Sequence, residues 1–117
     1  MKTMLLLCVM VTAMAWKTLG AGVDTGAVTV KGEVLDLACY LDHGARGDKH
    51  AGCAQTCIES GLPVGIKGED GKTYLIIGEH EPLNKKLAPL AGKTITVKGK
   101  LVCRDGINMI ANAEIVN

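Results

Sequence analysis

Two Asp-Gly dipeptides constrain this chain most. Asp70-Gly71 lies between the runs Pro63–Ile66 and Thr73–Ile77, and Asp105-Gly106 lies between Thr94–Cys103 and Ile107–Val116. Asp-Gly between alternating apolar runs predicts a tight hairpin, because both residues accept the positive φ that such turns need. Upstream, Val28, Val30, Val34, Leu35 and Leu37 read as one long strand, with a bulge or bend expected at Gly32-Glu33 where the inward parity switches. Ile95, Val97, Gly99, Leu101 and Cys103 share one face of the fourth strand. Glu81-Pro82 to Ala91-Gly92 reads as a short helix, with Pro near its start and Gly after its end.

The resulting order is strand, insert, strand, strand, helix, strand, strand. That order predicts a mainly β fold, a five-stranded OB-like barrel. A Cys/His-rich loop-helix insert is expected between strands 1 and 2, and a short helix between strands 3 and 4. Glycines inside the first and fourth strands suit the coiling of so small a barrel. The tail from Gly92 to Ile115 is similar to the closing strands of bacterial secreted OB-like domains.

The first residues read as an export signal rather than as fold. Met1-Lys2, an apolar run over Met4–Val11 and the ending Ala13-Met14-Ala15 match a secretory signal peptide over residues 1–15, with cleavage extending to about residue 21 as the alternative. The run is too short for a membrane span, which needs roughly 20 residues, so no span is expected in the mature chain. Residues 16–26 are expected as a flexible lead and 27–117 as the OB-like domain. Export implies a periplasmic or secreted location, where an even set of cysteines suggests disulfides first.

Composition excludes some functions. Without Lys2 the chain has twelve basic and twelve acidic residues, and its only aromatics are Trp16, Tyr40 and Tyr74. Single-strand nucleic-acid grooves combine basic charge with stacking aromatics, so nucleic acid is not an expected partner. Nothing resembles a nucleophile elbow, a phosphate loop or a paired-carboxylate site, so no enzyme activity is expected, with thiol–disulfide exchange as the minor alternative.

The chemistry concentrates between residues 39 and 61. Cys39, His43, His50, Cys53 and Cys57 fall in the spacing C-x3-H-x6-H-x2-C-x3-C. Asp48 as N-cap and Gly61 as the end predict a helix over Lys49–Ser60. On it His50, Cys53 and Cys57 would project within ~60° of one another. Cys39 is expected at the end of the first strand and His43 in the connecting loop, either able to fold over that stripe. Thiolates with imidazole select soft or borderline ions, so copper, slightly ahead of zinc, is the expected cofactor at these five residues. Covalent haem is disfavoured, since no C-x-x-C-H string occurs. Cys103 reads as a disulfide partner or a small core residue, His80 as a solvated side chain, and Asp42 and Asp48 as turn and cap residues.

The pair Cys53 and Cys57 with a nearby histidine resembles the copper sites of Sco-type chaperones and of the binuclear copper domain of terminal oxidases. The resemblance is local, since the rest of the chain matches neither scaffold. A longer string, Cys39-Tyr40, Gly47, His50, Cys53-Ala54, Cys57, Gly61 and Pro63, resembles that of a set of exported bacterial OB-fold-like proteins of unknown function. That family carries no activity over; the stripe of His50, Cys53 and Cys57 beside Cys39 and His43 is what predicts soft-metal handling or support of an exported or membrane redox partner protein. The alternative is a disulfide-stapled OB-like interaction module without metal.

Overall fold

The computed structural model describes residues 23–116. The expected signal segment and most of the expected lead lie outside these residues. Strand β1 (Val23–Asp36) is followed by helix α1 (Leu37–His43), a 3-10 turn at Asp48–His50 and helix α2 (Ala51–Glu59). Then come β2 (Val64–Gly68), β3 (Thr73–Ile76), helix α3 (Asn84–Leu87) running into a 3-10 turn at Ala88–Leu90, β4 (Thr94–Arg104) and β5 (Ile107–Val116).

The strands close in the order β1-β2-β3-β5-β4, with β1 returning to β4. All neighbours are antiparallel except β3 and β5, which run parallel through Leu75 and Ile76 against Met109 and Ile110. This is the expected OB-like barrel, with the insert between β1 and β2 and the short helix between β3 and β4. Both Asp-Gly turns stand where the sequence puts them, and Asp105 itself takes φ 50°.

Three details differ from expectation. First, β1 begins at Val23, opposite Cys103, and its register shift falls at Asp24/Gly26 rather than at Gly32-Glu33. Gly32 is instead the point where β1 is paired with both β2 and β4. A Cβ there would lie 2.2 Å from the Lys67 carbonyl oxygen, so only glycine lets the strands pass this closely. The inward parity does not switch: Val28, Val30 and Val34 all join the interior cluster. Leu35 and Leu37 are buried outside that cluster, and Leu37 lies over Gly65.

Second, the chain leaves the strand at Asp36 and turns into α1, so Cys39 and His43 are helical rather than strand-end and loop residues. Asp36 Oδ1 accepts a hydrogen bond from Ala38 N at 3.0 Å and caps the helix. Gly44, at φ 71°, ends it. Third, the helix expected over residues 81–92 is shorter, because Pro89 has no N–H to continue the ladder and the chain tightens into the 3-10 turn.

One end of the barrel is filled by the helices. Ala54 and Ile58 of α2, with Leu83, Leu87, Ala88 and Ala91, join Val34, Val64, Ile66, Val97 and Ile110 in one cluster. Asn84 Nδ2 donates to the carbonyls of Ile58 and Leu62, both at 2.8 Å, tying α3 to the end of α2. Packing on the barrel therefore fixes α2, and α2 carries Cys53 and Cys57.

Candidate metal centre

The last residue of β1 is the surprise. Asp36 is only 1% exposed, in a chain stretch otherwise made of Val34, Leu35 and Leu37. Its Oδ1 is used by the α1 cap, but Oδ2 is buried with no hydrogen-bond partner of ordinary geometry. A buried carboxylate costs several kcal/mol unless something compensates its charge. Among the described residues no ion pair reaches it.

Cys39, one turn into α1, and His50, at the junction of the 3-10 turn with α2, face this carboxylate. One ligand atom from each of Asp36, Cys39 and His50 lies within 4.8 Å of the other two. His50 Nε2, like Asp36 Oδ2, is buried and unpartnered. Two buried polar atoms without partners, on two residues of one such group, are rare in folded proteins and call for a missing neighbour. Donors bound to one tetrahedral ion sit about 3–4 Å apart, so a contraction of about 1 Å would seat one. The group could hold a metal ion.

The remaining expected ligands stand around this group at different depths. Cys57 is half-buried and Cys53 exposed. Burial first, then the charges of Asp36 and Cys53, push the Cys57 thiol above its ordinary value. The neighbouring Asp36 carboxylate first, then burial and the charges of Cys57 and Cys53, push the Cys39 thiol up to about 12. The three thiols therefore share one electrostatic neighbourhood with Asp36. The His43 ring sits edge-on to that of His50, centroids 6.3 Å apart, while its Nδ1 lies 3.1 Å from Asp42 Oδ2. His43 thus borders the group.

The loop that delivers His50 is held from below. Glu33, on β1, accepts from Gly47 N through Oε2 at 2.9 Å, and its Oε1 lies 3.5 Å from Arg46 Nη2. Gly92, at φ 75°, packs against the same loop; a Cβ there would lie 3.0 Å from that of Ala51 and 3.3 Å from Gly47 O. Asp48 does not cap the helix as expected: Gly47 and His50 occupy the cap positions and neither makes a side-chain cap bond. The start of α2 is therefore set by Glu33 and Gly92 rather than by local capping.

Cys103 is free and half-buried near the β4–β5 turn, with its Sγ 3.2 Å from Asn108 Oδ1. No disulfide joins Cys39, Cys53, Cys57 or Cys103. His80 is exposed, as expected. Among the described residues no helix is long and apolar enough to cross a membrane.

Asp36 is the residue that sequence reasoning missed. Its signal is an acid inside the apolar run Val34-Leu35-Asp36-Leu37, followed by Leu37 and Leu41 at helical spacing. No family model, curated protein or solved structure matches the chain.

Proposed function

We propose that this protein holds one metal ion at Asp36, Cys39 and His50, with Cys57 as fourth donor, and acts in metal handling. The observation that supports this is the pair of buried, unpartnered atoms, Asp36 Oδ2 and His50 Nε2, next to the Cys39 thiol. A cation supplies the counter-charge that Asp36 otherwise lacks.

The carboxylate moves the metal preference. Two thiolates and an imidazole suit Cu(I), but a carboxylate oxygen is a harder donor that suits Zn(II) better. Charge points the same way, because three anionic donors leave a net −1 around Zn(II) and −2 around Cu(I). Zinc is therefore the first choice and copper the second. Delivery of the ion to an exported redox partner, or support of one, is the role that fits the expected export signal. The rival reading, a disulfide-stapled interaction module, needs bridged cysteines, and the thiols here are free.

The test is chelator competition on the reduced protein, with Zn(II) and Cu(I) separately and metal content by elemental analysis. One zinc per chain is expected, with binding lost in the double variant Cys39→Ala/His50→Ala. Asp36→Asn should weaken zinc by at least about tenfold, roughly 1.4 kcal/mol, and Cu(I) by less. Undiminished zinc binding in the double variant would remove the assignment.

A further inference from the structure

We infer that Cys53 is the transfer thiol of this site, the ligand through which the ion passes between the buried donors and a thiol-bearing partner. This rests on the metal reading above and goes beyond it, because it separates carriage from structural support.

Asp36 is fully buried, Cys39, His50 and Cys57 are half-buried, and Cys53 is exposed. These groups therefore grade from interior to solvent. Cys53 and Cys57 are one turn apart on α2, about 40° apart around its axis, so the two thiols lie on the same stripe.

A closed structural zinc site uses four protein ligands. Asp36, Cys39, His50 and Cys57 already make four. A fifth donor that is solvent-accessible and adjacent to the fourth has no use in a closed site. It is what stepwise ligand exchange requires, because the ion can gain one bond before it loses another.

The exchange balances without any oxidant. The Cys53 thiol loses its proton to solvent as its Sγ–metal bond forms, and the Cys57 Sγ–metal bond breaks as that sulfur takes up a proton. A partner dithiol then gives up two protons as its two sulfurs bond to the exposed ion, and the bonds to Asp36, Cys39, His50 and finally Cys53 break, the two cysteine sulfurs taking up protons in exchange. The ion keeps its oxidation state throughout. The partner class is accordingly a protein or peptide presenting paired thiols, since a single exposed thiolate cannot replace four donors.

The experiment uses zinc-loaded full chain and a dithiol acceptor peptide, with zinc transfer followed by stopped-flow and affinity measured separately by chelator competition. Cys53→Ser should leave zinc affinity within about threefold of wild type and slow transfer at least tenfold. Cys53→His, which returns a donor, should restore part of the rate. An unchanged transfer rate in Cys53→Ser would overturn the inference while leaving the site intact. A parallel fall in affinity would overturn it too, by making Cys53 a resident ligand. Failure of the reduced wild-type chain to bind zinc would instead remove the metal reading itself.

Discussion

At the scale of single residues, this molecule treats its two most constrained carboxylates in opposite ways. Asp36 is left with an idle oxygen in the interior, whereas Asp70 is satisfied: it accepts from Lys72 N at 2.9 Å and from the buried Tyr74 hydroxyl. The Tyr74 hydroxyl, with Lys72 N, holds the Asp70 carboxyl below its usual value. Burial first, and then Asp70, push the Tyr74 phenol up to about 12. The signs follow from linkage. The depressed Asp70 stabilises the fold above about pH 4, and this is lost as pH falls through its folded value. The raised Tyr74 leaves stability intact below about pH 10 and erodes it between about 10 and 12. Tyr74→Phe is expected to cost about 1 kcal/mol at neutral pH and to flatten the pH 10–12 limb. Urea midpoints across both windows check this, and an unaltered alkaline limb in the variant would contradict it. The sequence marks Asp70 as a turn residue, but its bond to Tyr74 depends on side chains that meet only once the hairpin is folded.

At the scale of elements, what was legible followed how local its cause is. The hairpins at Asp70-Gly71 and Asp105-Gly106 depend on a few adjacent residues, and both were readable. Helix α1 was not, because Leu35-Asp36-Leu37-Ala38-Cys39 carries enough apolar residues to read as more strand. The cap bond from Asp36 to Ala38 N and the left-handed Gly44 are what separate the two. The same gap hid Asp36 from the site, since a carboxylate gains meaning there only when α1 and the 3-10 turn fold over it. The five Cys/His candidates were readable as a cluster, yet their depth was not, because depth depends on where Ala54 and Ile58 enter the barrel. Glu33 gives this level a test. It anchors the loop over residues 46–47 and is not one of the proposed donors, so Glu33→Ala should weaken zinc binding roughly tenfold while shifting the thermal midpoint little. Equal affinity in that variant would show that the packing of Gly92 alone places His50.

At the scale of the whole molecule, the barrel and the site are separable in energy. The interior cluster draws on every strand and contains none of the proposed donors. If the proposed ion is bound, removing it should therefore loosen residues 37–50 without unfolding the barrel or α2, unlike zinc fingers that are unfolded without their ion. Expected outcomes are a strand-type circular dichroism spectrum retained under chelator and a thermal midpoint raised by zinc. The gain follows mass action, about 2.7 kcal/mol at a free ion concentration one hundred times the dissociation constant. Global unfolding by chelator alone would contradict this separation.

Asp36 and Val64 are also direct partners across the β1–β2 pair, so the excursion that carries every proposed ligand after Asp36 leaves and rejoins the sheet at one spot. In terms of ancestry and engineering, that makes residues 37–63 a cassette. A short hairpin turn could replace it without moving a single strand register, at the cost of opening the barrel end that Ala54 and Ile58 now close. A barrel of this kind could gain or lose its metal chemistry at one place in the chain while its remaining strands kept their order.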